Sequence, residues 1–270
     1  MKATAKLKVI ELGRRGYAEM VAAQERLVAD RLEGRTGDLL LLLEHPPTYT
    51  LGRRSEPSDL LHDADWYRKR DIEICETPRG GKVTYHGPGQ IIVYPIIDLR
   101  EVGTQPNGAD RVDVATFVAT LEQSMADAIG KWGLTAGPIE GLTGVWVDDD
   151  RVDPVEFEKM NAVSAAPGLA RDSIRKIGSI GLKVTRGVTS HGLSLNVSGD
   201  LKPFEWINSC GIENCRATSI EAELGRDAPR PRMVSAAVAE ALAANLDFQM
   251  VPGTPGDIGL ERRQRTDSVA

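Results

Sequence analysis

The sequence is poor in cysteine, in aromatic residues and in long apolar runs. Its 270 residues include three cysteines and 5% aromatic residues. A small, odd number of cysteines implies no disulfide framework, so a reducing compartment is expected. No stretch approaches the roughly 18 uninterrupted apolar residues of a membrane span, and the first residues have no apolar core before their charges. We therefore expect a soluble, cytoplasmic protein that has no membrane partner.

Basic residues are also in the minority. The chain has 33 Lys and Arg against 39 Asp and Glu, which gives a net charge of -6. Because phosphate binding normally needs a basic surface, nucleic acid is not expected as a partner. The four histidines are scattered without paired metal spacing. Neither a zinc site with the cysteines nor another metal or cofactor is therefore expected.

The apolar pattern predicts one domain of the α/β (α+β) class, a mixed β-sheet flanked by helices. Helical spacing predicts helices at 17–32, 113–132 and 233–246, with Asp113 as an N-cap, and Thr218-x-x-Glu221 reads as a capping box. Strands are predicted in "GDLLLLL", "DIEICET", "QIIVYPIIDL", "GVWV", "KIGSIGLKV" and "VTSHGLSLNV". We expect the domain to span residues 1–250 with a polar insertion at 148–173, and residues 251–270 to form a flexible tail.

The segment "RGGKVTYHGPGQ", residues 79–90, is the strongest local feature. Four glycines, one proline and one histidine lie between two predicted strands. Glycine lacks a Cβ, so the backbone can approach a ligand closely and present its N–H groups. The plainer interpretation is a tight hairpin, although two glycine stretches around Thr84, Tyr85 and His86 exceed what a hairpin needs. The pattern is neither a dinucleotide fingerprint nor a P-loop.

A second glycine-rich segment, "RKIGSIGLKVTRGVTSHGLSLNV", covers residues 175–197. Lys176 begins an apolar strand, where most lysines are simply solvated. His191 alone is more often structural than catalytic. Gly178, Gly181 and Gly192 leave room for a group against the backbone.

Two of the three cysteines occur in "FEWINSCGIENC", residues 204–215. From spacing alone, Cys210 and Cys215 could form half a zinc site, a redox pair, or a nucleophile beside a bystander. Two small buried hydrophobic residues are the commonest outcome for such a pair.

Together these segments resemble the octanoyltransferases of lipoate biosynthesis, also called the lipoate-protein ligase B family. "RGGKVTYHGPGQ" with "YPIIDL", then "KIGSIGLKVTRGVTSHGLSLNV", then "INSCG" match its marked segments in order. The resemblance implies the catalytic fold shared by biotin and lipoate protein ligases. It also implies transfer of an octanoyl group from octanoyl-acyl carrier protein, through a cysteine thioester and without ATP, to a lysine of a lipoyl domain. The implied acceptors are 2-oxoacid dehydrogenase E2 subunits and the glycine cleavage H protein, and the implied state is a monomer.

Carried over residue by residue, the resemblance assigns Cys210 as the acyl-thioester cysteine and Lys176 as its catalytic partner. The implied substrate-binding residues are Arg79, Gly80, Gly81, Lys82, Val83, Thr84, Tyr85, His86, Ser179, Ile180, Gly181, Gly192, Leu193 and Ser194. Three features depart from the family pattern: Ser209 stands where proline is usual, Gly178 replaces a commoner alanine, and the insertion at 148–173 is long.

Two rival functions and a docking surface follow from the same residues. An ATP-dependent lipoate or biotin ligase would not need Cys210 and Lys176, and a silent acyl-binding module would not retain both. The family's protein partners are acidic, so docking would use a local basic surface on this acidic chain. The candidate surfaces are Arg53 with Arg54, the run 68–70, and Arg79 with Lys82.

Overall fold

A computed structural model describes residues 5–102, 113–148, 174–208 and 216–261. The insertion beyond Asp148, Ser209, the cysteines Cys210 and Cys215, and the end of the tail from residue 262 lie outside these described residues. Among the described helices, none is long and apolar enough to cross a membrane.

The described strands form a large mixed sheet and a small one. The strands are β1 (Ala5–Arg14), β2 (Asp38–Glu44), β3 (Thr48–Leu51), β4 (Glu73–Glu76), β5 (Thr84–His86), β6 (Gln90–Ile96), β7 (Gly137–Ile139), β8 (Leu142–Asp148), β9 (Ile174–Thr185), β10 (Val188–Asn196), β11 (Arg216–Ala217) and β12 (Phe248–Pro252). The large sheet has the order β12-β1-β2-β6-β10-β9-β8-β7, with β11 paired to β9, and the small sheet has the order β4-β3-β5. The helices are α1 (Tyr17–Leu32), α2 (Ala64–Arg68), α3 (Val114–Gly130), α4 (Ile220–Leu224) and α5 (Pro231–Asn245).

Helices cover both faces of the large sheet. The five consecutive leucines of β2 are all buried, as predicted. Leu39, Leu41 and Leu43 pack with residues of α1, whereas Leu40 and Leu42 pack with residues of α3 and α5. Since successive side chains of a strand point to opposite faces, the run of leucines divides between two apolar cores.

The small sheet has an aromatic core of its own. Tyr49, Tyr67 and Tyr85 pack there with partly buried Trp66 and Phe204. The hydroxyl of Tyr49 donates to the Pro203 carbonyl at 2.6 Å, and that of Tyr67 donates to the Trp206 carbonyl at 2.6 Å. Because both acceptors lie in the 3-10 helix Lys202–Trp206, hydrogen bonds from β3 and α2 fix this helix to the aromatic core.

One of the two predicted helix caps is misplaced by one residue, and the other is confirmed. Ser219, not Thr218, is the N-cap of α4, because its hydroxyl accepts the Ala222 N–H, while the Thr218 hydroxyl bonds to Glu223. Asp113 is the N-cap of α3, as predicted.

The flexible tail was predicted to begin at residue 251, which is too early. Residues 251 and 252 belong to β12, which pairs in parallel with β1, and Ile258 is buried against α1. Backbone pairing and an apolar contact therefore hold the chain to the fold as far as residue 258. Neither β1 nor β12 was predicted.

Candidate active site

A cavity of about 530 Å³ lies between the two sheets. One wall is the segment that leads into β5, and the opposite wall is the hairpin of β9 and β10. Residues lining the cavity include Arg79, Gly80, Gly81, Lys82, Val83, Thr84, His86, Lys176, Ser179, Ile180, Gly181, Gly192, Leu193 and Ser194. The two glycine-rich segments singled out in the sequence therefore meet around one space.

Tyr85 is the described site residue that does not line this cavity. Its ring packs at 5.4 Å from Tyr49 and 5.5 Å from Phe204, inside the small sheet's core. Neighbouring residues of a strand point to opposite faces, so Thr84 and His86 face the cavity and Tyr85 faces away. A larger groove of about 980 Å³ at the far edge of the large sheet contains none of the described site residues.

Glycine sets the shape of the wall formed by the large sheet. Gly181 and Gly192 are cross-strand partners in the hairpin. A Cβ on Gly192 would lie 2.2 Å from the Val93 carbonyl oxygen, and one on Gly181 would lie 2.9 Å from Cδ of Arg79. Only glycine allows the backbone and the Arg79 side chain to approach this closely.

Arg79 is a buried side chain that ties the loop of one wall to β3 of the small sheet. It is 6% exposed, and its guanidinium donates to the Thr50 hydroxyl, the Thr50 carbonyl and the Gly80 carbonyl. The next residue, Gly80, donates its N–H to the Leu182 carbonyl at 2.8 Å. The prediction that Arg79 belongs to a docking surface is therefore wrong, because its bonds are internal.

The other basic candidates differ in exposure. Arg53 and Arg54 are exposed, and Arg54 lies at the cavity. Lys82 pairs with the buried Asp59 at 3.4 Å. Arg70 lies 3.4 Å from the centroid of the Trp66 ring, a cation–π contact. Of the candidate docking residues that remain, Arg54 and Lys82 line the cavity.

Lys176 lies on β9 at the edge of the cavity. Its Nζ is 4.9 Å from the ring centroid of Trp146, its cross-strand partner on β8. On its other side Lys176 pairs with Ala217 of β11, and its carbonyl accepts the Thr218 N–H at 2.9 Å. Asn208, on the near side of the undescribed segment 209–215, donates to the Asp59 carbonyl at 2.9 Å. The chain therefore resumes, after the segment that contains Cys210, directly beside Lys176.

Beneath the cavity lies a cluster of buried histidines and tyrosines. Tyr17, Tyr94, His86 and His191 line the cavity floor, and His45 lies below them, 5.1 Å from the Tyr17 ring and 5.7 Å from the His86 ring. Tyr17, His45 and Tyr94 were not predicted as site residues. Tyr17 and Tyr94 stand at apolar positions of α1 and β6, and a polar group on a side chain at such a position is the signal that could have found them. His45 directly follows β2.

Burial keeps these histidines neutral. It lowers the pKa of His45 to about 4 and that of His191 to about 4, and it holds the pKa of His86 well below its usual value. His45 donates from Nδ1 to the Arg15 carbonyl and accepts the Tyr94 hydroxyl at Nε2. The cavity floor thus presents polar but uncharged rings.

Comparisons with known proteins agree with this arrangement. The model of the lipoyl protein ligase A/B catalytic domain matches residues 16–243. An octanoyltransferase of Acidobacterium capsulatum is 39% identical over 81% of this chain and 80% of its own length. One of Chloroflexus aggregans is 38% identical over 91% of this chain and 97% of its own.

Solved structures share the fold at lower identity. Lipoate-protein ligase A bound with ATP has a TM-score of 0.63 at 15% identity, covering 93% of this chain and 89% of that one. A bi-partite lipoate protein ligase of Thermoplasma acidophilum, studied with its E2 lipoyl domain, has a TM-score of 0.65 at 15% identity, covering 93% and 87%. The fold and the cavity therefore define a catalytic domain of the lipoyl protein ligase class, which confirms the predicted fold. Within that class, the chain belongs to the octanoyltransferases, which are acyltransferases.

Proposed function

We propose that this chain moves an octanoyl group from octanoyl-acyl carrier protein to a lysine of a lipoyl domain through a thioester on Cys210. The observation that carries the proposal is the meeting of Lys176 and both glycine-rich segments at one cavity, with β11 resuming beside Lys176. The first described residues after Cys210 are therefore next to the lysine that would serve it.

The reaction would proceed in two balanced steps. The Cys210 thiolate attacks the acyl carbonyl carbon, a new carbon–sulfur bond forms, and the carrier's carbon–sulfur bond breaks. The lysine amine of the lipoyl domain then attacks this enzyme thioester, an amide bond forms, and the Cys210 thiolate leaves. Because exchange between thioesters is nearly balanced and amide formation is downhill, ATP is not required.

Lys176 would act on the protons of both steps. An ordinary cysteine has a pKa of about 8.5 and is only a few per cent thiolate at neutral pH. A nearby ammonium favours the thiolate. The same group would protonate the departing carrier thiolate and accept the proton that the attacking amine releases.

The rest of the cavity fits an acyl chain. Apolar side chains from α3 and from the β9–β10 hairpin line it, among them Val118, Ile180, Leu182 and Leu193. A volume of about 530 Å³ lies within the usual range for small-molecule sites. Backbone amides of the glycine-rich segments would hold the carbonyl end, in line with the predicted roles of residues 79–86, 179–181 and 192–194.

The acceptors we propose are the lipoyl domains of 2-oxoacid dehydrogenase E2 subunits and the glycine cleavage H protein. The chain would work as a cytoplasmic monomer of one domain, with the 148–173 insertion as an addition to it. No metal or cofactor enters either step.

An ATP-dependent ligase is the second candidate, because the fold is shared with a lipoate-protein ligase bound with ATP. The two functions are separated by mixing the purified protein with octanoyl-acyl carrier protein and a lipoyl domain in the absence of ATP. We expect the lipoyl domain to gain one octanoyl group, as measured by intact mass. A strict requirement for ATP would overturn the proposal in favour of a ligase.

The same assay tests the residue assignments. Cys210→Ala and Lys176→Ala should each lower the rate by about 100-fold or more. Cys75→Ala is the matched control, because burial raises the pKa of the Cys75 thiol to about 12 and makes it a poor nucleophile. Cys215→Ala should also retain activity.

A further inference from the structure

Helix α3 carries a carboxylate into the protein interior. Glu122 is 9% exposed and follows Leu121 in a helix whose other buried residues include Phe117 and Met125. A buried carboxylate is costly unless it is hydrogen-bonded or paired with a cation. Its partners therefore indicate what it does.

Glu122 reaches the strand next to Lys176. Its Oε1 accepts the Gly144 N–H at 2.7 Å, at the start of β8. Gly144 has φ +119, and a Cβ there would lie 2.5 Å from the Gly178 carbonyl oxygen, 2.8 Å from Cε of Lys176 and 3.3 Å from its Nζ. Carboxylate, glycine and ammonium are thus members of one cluster at the edge of the cavity.

The two charges act on each other. Burial raises the pKa of Glu122, while the Gly144 N–H and the positive charge of Lys176 oppose that rise. The Trp146 ring, 4.9 Å from Nζ of Lys176, adds a second group that attracts the ammonium. The Lys176 ammonium is therefore attracted by a carboxylate on α3 and by an aromatic ring on β8.

Capping of the Gly144 N–H alone does not call for a charge. The amide oxygen of a glutamine accepts such a bond equally well and is far less costly to bury than a carboxylate. What a carboxylate adds at this position is attraction for Lys176.

We infer that Glu122 is a positioning residue for Lys176, holding its ammonium between α3 and Trp146 and at the cavity. This inference rests on the proposed function, because it gives Lys176 its orientation for the acyl-transfer steps. Glu122 itself lines none of the cavity and acts through the lysine.

The first test compares Glu122→Gln with Asp127→Asn. Asp127 is an exposed carboxylate on the same helix that bonds to Gln123 and Asn245, so it serves as the matched control. We expect Glu122→Gln to lower kcat about 10-fold with little change in KM for the acyl donor, and Asp127→Asn to change neither. Glu122→Asp, which keeps the charge, should recover part of the loss. Equal kcat values for Glu122→Gln and Asp127→Asn would overturn the inference.

A second readout does not depend on activity. Labelling of Lys176 by an amine-reactive reagent, followed by peptide mass spectrometry, should be several-fold faster in Glu122→Gln than in Asp127→Asn. Unchanged labelling would contradict the proposed contact. If Lys176→Ala transfers octanoyl groups at the normal rate, the proposed role of Lys176 fails, whereas faster labelling would still support the contact itself.

A double-variant cycle covers the case in which Glu122→Gln folds poorly. Lys176→Met leaves the buried Glu122 carboxylate without its counterpart, and Glu122→Gln does the same to the Lys176 ammonium, so the double variant should lose less stability than the sum of the two losses. Urea denaturation measures all four proteins. Additive losses, or a double variant that is also unfolded, would assign Glu122 a purely structural role and overturn the inference.

Discussion

The two walls of the cavity are held in different ways. The wall from the large sheet is made of paired strands in which Gly181 and Gly192 meet other backbone and side-chain atoms closely. The wall from the small sheet is a loop tied down by the Arg79 guanidinium and by one backbone bond from Gly80 to Leu182. The first wall is therefore fixed by close packing and the second by a few hydrogen bonds. Substitution of a tightly packed glycine in the first wall should cost the most folding stability, while substitutions in the second should cost less and should also alter binding.

The largest effect is expected at Gly192. An added Cβ would lie 2.2 Å from the Val93 carbonyl oxygen and 2.6 Å from Cδ of Pro95, and neither can move without shifting β6. Gly192→Ala should lower the free energy of unfolding by about 3 kcal/mol or more, as measured by urea denaturation. Gly130→Ala is the control, since nothing lies within 4 Å of its added Cβ. A loss no larger than that of the control would mean that the large-sheet wall can shift to make room for the added Cβ.

Acid should weaken the connection between the walls through His45, which lies just after β2 on the way to the small sheet. Burial lowers its pKa to about 4 from the usual 6.5. Between these two pH values the unfolded chain therefore binds a proton on His45 that the folded chain does not. The free energy of unfolding is unaffected by His45 above about pH 6.5 and falls as the pH drops toward 4. The loss from His45 should reach about 3 kcal/mol.

Urea denaturation at pH 7 and pH 5 measures this loss. In His45→Gln the difference between the two pH values should shrink, whereas in the control His62→Gln, an exposed histidine, it should not. An undiminished pH dependence in His45→Gln would rule out His45 as its source.

Substitution of Arg79 should affect the small-sheet wall and leave the large-sheet wall unchanged. Arg79→Lys removes the bonds that Nε and Nη2 donate to Thr50. The free energy of unfolding should therefore fall by about 1–3 kcal/mol. The change should raise hydrogen exchange in residues 79–84 and KM for the acyl donor, while exchange in β10 stays at the wild-type level. Arg53→Lys, in the exposed loop, is the control. Equal increases of exchange in both walls would show that the loop is not independently held.

The smallest effect is expected at Gly178, three residues before Gly181. An added Cβ would lie 2.8 Å from Sδ of Met125, the movable end of a flexible side chain. Gly178→Ala should therefore cost less than about 1.5 kcal/mol of unfolding free energy. A cost as large as that of Gly192→Ala would mean that the Met125 side chain cannot adjust, and that α3 shares the rigidity of the hairpin.

The sequence predicted the elements whose apolar pattern is local. The helices α1 and α3 and the five-leucine strand follow from helical spacing and from an uninterrupted apolar run. The strands β1 and β12 were missed, because β1 carries charges between its apolar residues and β12 pairs with a strand more than 200 positions away. Long-range pairing of this kind leaves little local signal.

The candidate site was also predictable only in part. Glycine clusters mark places where the backbone approaches another group, so residues 79–81 and Gly192 could be found from the sequence. Tyr17, His45 and Tyr94 come from three separate parts of the chain and meet only in the folded protein. Glu122 sits among the apolar residues of α3, and nothing in the sequence indicates that it reaches Gly144.

The central claim is that an acyl thioester forms on Cys210 and that Lys176 serves its proton transfers. The most direct measurement is intact mass spectrometry of the protein after mixing with octanoyl-acyl carrier protein alone, without ATP or lipoyl domain, followed by peptide mapping. We predict one octanoyl group per chain, on Cys210, which hydroxylamine removes as expected for a thioester. An adduct on Cys215 or Cys75, or no adduct under conditions in which the lipoyl domain becomes octanoylated, would contradict the account.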